Sequence, residues 1–268
     1  MGLFALENIT PKRTPEISIS VVSHAQSHLI ENLLHDINVH CQKSSFELIL
    51  TLNIGEVLPF DVHRFSFPIK VLRNLNPQGF AANHNQAFAY AAGRFFCVMN
   101  PDIRIASNPF PGLIGCLHSA SVGVVAPLVL SESGIMEDSA RRFPTPIKIL
   151  CKAFGGCKGG DYALSNEPIF PDWVGGMFML FPEDIFAKLG GFDERFFLYY
   201  EDVDLCARLY LLGYDVVLCP DAKVTHHAHR SSHRSVRYLS WHLASMMRFF
   251  CSGVFRQTCW RKLKKRWV

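Results

Sequence analysis

Short runs of β-branched and aromatic residues alternate with stretches of helical period along most of this chain. Residues 17–22 (ISISVV), bounded by Pro15 and His24, predict a buried first strand, and a helix is expected over 28–39. Residues 46–53 (FELILTLN) and 68–74 (PIKVLRN) predict a second and third strand. Pro77, Gln78 and Gly79 mark a turn into an Ala-rich helix over 80–93, stopped by Gly93. Residues 94–102 (RFFCVMNPD) read as a fourth strand running into a polar turn, followed by a helix over 111–120 and a strand over 122–130. Strands alternating with helices imply an α/β fold with a Rossmann-like, mostly parallel central sheet flanked by helices.

Beyond residue 130 the period breaks up. Residues 131–171, punctuated by Gly and Pro, predict loops and short helices over the sheet. Residues 172–182 (DWVGGMFMLFP) read as one strand entered through Gly175 and Gly176. A helix over 201–212, closed by Gly213, precedes a short strand over 215–220 and four histidines: His226, His227, His229 and His233. From residue 236 one amphipathic helix leads into a basic end.

The helix over 201–212 holds three carboxylates in its first turn. At about 100° per residue, Glu201, Asp204 and Arg208 share one face, with Asp204 and Arg208 spaced for a surface ion pair. Asp202 falls among Leu205, Cys206 and Leu209, on the apolar side. A carboxylate there either caps the helix, whose dipole favours an anion, or is a general base at a pocket rim; left unused it is costly.

Composition narrows the class. With 268 residues, 49% hydrophobic and 19% charged, the chain folds around a large core. The net charge of +4 is unevenly placed, since the final RKLKKRWV holds five of the 27 Lys and Arg. Together with Trp260, Trp267 and the apolar helix before it, that ending predicts a peripheral membrane contact and argues against a nucleic-acid partner. Nine cysteines without a C-x-x-C pair speak against a zinc ribbon or disulfide framework and for a reducing, cytoplasmic setting. The N-terminal stretch lacks an apolar h-region after a basic one, so no secretory signal is expected there, and no run of 18 apolar residues occurs.

Two further features carry chemistry. Asn100-Pro101-Asp102 sits past the end of the fourth strand, where α/β sheets bind ligands. Asp102 is either a turn residue or an oxygen ligand for Mg²⁺ or Mn²⁺ shared with phosphates, and His226 is an acceptable imidazole ligand. Zinc held by the four histidines lacks any supporting Cys or carboxylate spacing. Trp173, Gly175 and Gly176 either wall an acceptor site or belong to the core.

The blocks NPQGFAANHNQAFAYAAGRFFCVMNPDI, DWVGGMFMLFP and GGFDERFFLYYEDVDLCARLYLLGYDVVLCPDAKVTHHAHRSS, in that order, resemble the family 2 inverting glycosyltransferases of the GT-A fold, most of all their bacterial rhamnosyltransferase-like branch. The resemblance covers roughly residues 17–232 and implies a single GT-A domain over 1–235. Its nucleotide-sugar half would be about 15–105 and its acceptor half about 106–235, with 236–268 a C-terminal amphipathic helix and basic tail. It implies Asp202 as catalytic base and a divalent cation, Mg²⁺ or Mn²⁺, on Asp102 with His226. It implies donor contacts from Ser23, Asn53, Gly79, Phe80, Asn83 and Asp102, and acceptor contacts from Trp173, Gly175, Gly176 and Glu201. The implied reaction moves a sugar from a nucleotide donor to a saccharide or lipid-linked saccharide in surface-polysaccharide (O-antigen or capsule) assembly, at the cytoplasmic face of the inner membrane. The best single donor is dTDP-L-rhamnose. One departure concerns the nucleotide base: the family's Asp-Asn pair after the second strand is replaced by LTLNIGE, with Asn53 and Glu56 but no Asp. A UDP-hexose transferase of the same fold and a non-catalytic nucleotide-sugar-binding protein are the alternatives. A nucleotidyltransferase would need a Gly-rich loop after the first strand, which VVSHAQSH lacks.

Overall fold

A computed structural model describes residues 14–153, 160–162, 166–227 and 236–265. The first half runs β1 (Ile17–Ser23), α1 (Ser27–His40), β2 (Phe46–Leu52), β3 (Ile69–Arg73), α2 (Phe80–Phe88), β4 (Phe95–Met99), β5 (Ile103–Arg104) and α3 (Phe110–Cys116). The second runs β6 (Val122–Ser131), β7 (Ala140–Arg141), α4 (Pro146–Ala153), β8 (Trp173–Val174), β9 (Phe178–Pro182), α5 (Glu183–Leu189), α6 (Glu201–Leu212), β10 (Asp215–His226), α7 (Val236–Cys251) and α8 (Gly253–Lys265). Eight strands form one sheet in the order β3-β2-β1-β4-β9-β6-β10-β5. β9 runs antiparallel to both β4 and β6, and β5 antiparallel to β10; the other pairings are parallel.

β1 shows why these strands are central. Ile17, Ile19 and Val21 pack to one face against Ile30, Leu33, Leu34 and Ile37 of α1. Ser18 and Ser20, equally buried on the other face, are hydrogen-bonded: the Ser18 hydroxyl donates to Glu47 and accepts from the Gly93 amide, and Ser20 meets His84. This corrects the end of α2, which stops at Phe88 and not at Gly93. The chain must dive to Ser18, and a Cβ at Gly93 would lie 2.6 Å from the Ser18 amide nitrogen.

Three other expectations change. The strand over 172–182 is two strands, with Gly175 and Gly176 as the joint: β8 pairs with β7 in a separate ribbon and β9 enters the main sheet. β10 continues six residues past Pro220, because a bulge between Cys219 and Lys223 removes the proline from the ladder. The C-terminal helix is two helices. Phe249 of α7 is fully buried in the core on the second face of the sheet, with Phe96, Phe181, Phe186, Leu205 and Leu209. On α8, Arg261 donates to the Tyr210 carbonyl at the end of α6, and Lys262 pairs with Asp172. Those two cations of the basic ending therefore serve the fold; residues 266–268 lie outside the described ones.

Cys116 and Cys219 form a disulfide, their Cα atoms 6.7 Å apart across 103 residues of sequence. The sequence gives no hint of it, since the pairing arises only where α3 packs on β10. Six other described cysteines are free.

Candidate active site

β4 ends at Met99, and the next residue turns the chain: the Asn100 amide donates to the Met177 carbonyl at 2.9 Å. Asp102 follows, one residue before β5 pairs with the end of β10, which carries His226. The Asp102 Oδ2 lies 3.2 Å from His226 Nε2, and Nδ1 of the same ring lies 2.9 Å from Glu137 Oε2. Burial disfavours charge on this imidazole, but hydrogen bonds to Asp102 and Glu137 and their charges outweigh it, raising the His226 pKa to about 9. The Asp102 Oδ1 is buried with no hydrogen-bond partner. An orphaned carboxylate oxygen beside an imidazole is a donor set that fits Mg²⁺ or Mn²⁺. Among the described residues no three His, Cys, Asp or Glu side chains close a metal cage; Glu137 takes the far ring nitrogen. His229 and His233 lie outside the described residues.

Asp202 stands in the first turn of α6, after a strained entry. Tyr199 and Tyr200 hold φ of 70° and 67°, left-handed values that cost non-glycine residues about 1–3 kcal/mol each. Asp202 Oδ1 accepts from the Val203 amide at 2.8 Å and Oδ2 from the Gly176 amide at 3.0 Å. Burial pushes its pKa up, while those two amides and the Arg141 charge pull it back.

The neighbouring carboxylates reverse the expected faces. Glu201 and Asp204 are 5% and 2% exposed, whereas Asp202 is only half-buried. The supposed outer face is covered, because α6 packs against both α5 and α8. The Asp204–Arg208 pair, at 2.8 Å, is thus internal and not a surface pair, and Arg208 also donates to the carbonyls of Leu189 and Gly191. Glu201 keeps Oε2 without a partner; burial, then the Asp202 charge, raises its pKa well above the carboxylate range.

Gly176 and Met177 link Asp202 to the turn before Asp102, the Gly176 amide donating to Asp202 and the Met177 carbonyl accepting from the Asn100 amide. A Cβ on Gly176 would lie 3.2 Å from the Phe80 ring, which also packs on His84 and Phe192. Gly79 is pressed against the loop before α6: a Cβ there would sit 2.5 Å from the Phe197 carbonyl, which accepts from the Phe80 amide. The remaining expected donor residues gather beyond the carboxyl ends of β1 and β2. Asn53 Oδ1 accepts from Asn74 Nδ2 and the Gln78 amide; Asn83 donates to the Gln78 and Gly79 carbonyls. Ser23 donates to Glu56 Oε2 at 2.9 Å. Trp173 donates from Nε1 to the Arg142 carbonyl, with the Arg141 guanidinium 5.4 Å over its ring; the Gly175 amide donates to Ser139.

Sequence reasoning missed Glu137, Arg141 and His84. Arg141 is opposite Trp173 across the β7–β8 ribbon, a pairing of residues 32 apart that no local pattern reveals. His84 lies buried inside the Ala-rich helix, and burial lowers its pKa to about 3.

Residues 168–230, which include α6 and β10, match a family model described as the N-terminal domain of galactosyltransferase. The chain is 31% identical over 186 residues to the N-acetylglucosaminyl-diphospho-decaprenol L-rhamnosyltransferase of Mycobacterium tuberculosis, covering 64% of this chain and 58% of that protein. It is 26% identical over 247 residues to the rhamnosyltransferase WbbL of Escherichia coli, covering 87% and 92%. Among solved structures, GalNAc-T7 with UDP, GalNAc and Mn²⁺ aligns with a TM-score of 0.61 at 16% identity, over 81% of this chain and 44% of that one. The mannosyltransferase PcManGT of Pyrobaculum calidifontis, in complex with GDP-Man and Mn²⁺, aligns at 0.60 and 17%, over 89% and 66%.

Proposed function

We propose that the chain is an inverting glycosyltransferase of the family 2, GT-A-fold, bacterial rhamnosyltransferase-like type, a reading that the similarities to two rhamnosyltransferases and to a galactosyltransferase domain model support. It moves L-rhamnose from dTDP-L-rhamnose to a lipid-linked saccharide in the assembly of a surface polysaccharide such as O-antigen or capsule. The rhamnosyltransferase names of two relatives support the donor, and the diphospho-decaprenol in one of them supports the acceptor class. The observation that carries the reading is the Gly176 and Met177 segment, which sets Asp202 and the Asp102 turn on either side of two residues.

Asp202 takes the proton of the acceptor hydroxyl. Its carboxylate is fixed by two amide donors, leaving lone pairs for that proton. Trp173 and the two glycines after it wall the acceptor side. Asp102 and His226 would hold a divalent cation, which when bound neutralises charge developing on the departing diphosphate. Ser23, Asn53 and Asn83 shape the nucleotide side, with Asn53 and Asn83 acting through the Gln78 and Gly79 backbone. A base on one side of the sugar and a leaving group on the other give a single displacement with inversion.

Thermal unfolding with each nucleotide sugar, with Mn²⁺ or Mg²⁺ present, tests this reading. dTDP-L-rhamnose raises the transition temperature most, and Asp102→Ala loses the metal-dependent part of the shift. No shift with any nucleotide sugar, or an unchanged metal dependence in Asp102→Ala, would refute it.

A further inference from the structure

α7 presents two faces with different partners. Inward, the Ser245 hydroxyl donates to the Leu198 carbonyl at 2.9 Å, Trp241 packs on Phe197, His242 on Tyr199 and Tyr200, and Phe249 on Tyr200. Those four contacted residues form the strained turn that delivers Glu201 and Asp202. Outward, Val236, Leu239, Leu243 and Met247 make one stripe over about three turns and are 83%, 58%, 46% and 57% exposed. Arg237 and Arg248 are exposed on the flank of that stripe. A bare apolar stripe of this length marks an interaction site.

Charge identifies the partner. Residues 222–268 contain eleven of the 27 Lys and Arg and none of the 23 Asp and Glu. The preceding 221 residues therefore carry 16 cations against 23 anions, a net −7, and the C-terminal segment +11. An apolar helical stripe within a segment devoid of anions matches an in-plane helix on an anionic bilayer. No described helix is long and apolar enough to cross a membrane.

We propose that α7 lies in the plane of an anionic phospholipid membrane, its Val236, Leu239, Leu243 and Met247 stripe among the acyl chains, so that one helix both seats the protein on the lipid and braces the turn before Asp202. The proposal deepens the reading above, since a lipid-linked acceptor is then met at the surface where its anchor resides. It also relocates the contact expected of the basic ending: Arg261 and Lys262 are engaged with Tyr210 and Asp172, and α7 supplies the apolar surface.

Co-flotation of the purified full chain with phosphatidylcholine vesicles, with and without phosphatidylglycerol, tests it. The protein binds the anionic vesicles, less so at high salt, and Leu239→Gln with Leu243→Gln weakens binding by about ten-fold or more, as expected for two buried leucines. Both substitutions are on exposed positions, so thermal unfolding and its shift by nucleotide sugar stay as in the wild type. Binding that is absent in the wild type or unaltered in the double variant overturns the proposal. So does a wild-type dimer that the double variant dissociates, because the stripe is then a self-association face. Vesicle binding without any nucleotide-sugar shift upholds this proposal while removing the glycosyltransferase reading.

Discussion

Glu201 and Asp202 are adjacent carboxylates that burial affects alike, and they differ in their hydrogen-bond partners. Glu201 is sealed and unpartnered at one oxygen, so burial holds it towards its neutral form. Burial raises the Asp202 pKa too, but two amides and the Arg141 charge pull it back towards its charged form. Asp202→Asn keeps an oxygen for one of those amides but cannot accept a proton. We expect turnover to fall by about 10²–10⁴-fold with the nucleotide-sugar shift of thermal unfolding preserved; turnover near wild type would clear Asp202 of the role. His84 makes a prediction about pH. Its folded pKa, depressed by burial to about 3 from an ordinary 6.5, lies below the unfolded value. Its stabilising contribution is therefore complete above about pH 6.5 and is lost as pH falls, because only the unfolded chain takes up the proton. Between pH 7.5 and 5 that amounts to about 2 kcal/mol. Urea titrations at the two pH values should show a smaller difference in His84→Gln than in the wild type.

At the scale of elements, the decisive contact is between the start of α2 and the loop before α6. Gly79 touches the Phe197 backbone with no room for a side chain, so Gly79→Ala pushes α2 and the Asp202 turn apart. A loss of about 1–3 kcal/mol is expected, with turnover falling more than nucleotide-sugar affinity. On the other side Arg208 clamps the Leu189 and Gly191 carbonyls and neutralises buried Asp204. Arg208→Leu strands that carboxylate and should cost about 3–5 kcal/mol in urea unfolding; adding Asp204→Asn should restore part of it. How much of this was readable beforehand follows from where each signal resides. β1, β2 and β3 came within a residue of their observed bounds, and α6 on them, because their periodicity and stop glycine are local. The division of residues 172–182 was not readable, since only pairing with β7 and β4 makes Gly175 and Gly176 a joint. Pro220 looked like an end because the bulge that accommodates it depends on β6. Asp102, His226 and Asp202 were candidates through the family resemblance, and the fold sets Asp102 beside His226. Which face of α6 is covered could not be read, because that depends on α5 and α8.

At the scale of the molecule, the half up to about residue 105 and the half after it share one sheet through β9, which pairs with β4 of the first and β6 of the second. Both cores cross that division: one includes Ile17 of β1 and Val224 of β10, the other Phe96 of β4, Leu205 of α6 and Phe249 of α7. The halves are thus faces of one cooperative unit, and α7 and α8 belong to it. If residues 236–268 were an appendage, changing Phe249 would leave the unfolding of the rest untouched. Phe249 instead fills the second core and contacts Tyr200, whose left-handed backbone is held by such packing. Phe249→Ala should therefore cost about 3–5 kcal/mol in a single urea transition, with fluorescence and circular dichroism midpoints moving together. It should also reduce turnover beyond the loss of folded protein, because the turn before Asp202 loses its brace. A second transition splitting off from an unshifted main one would return these helices to the status of a tail.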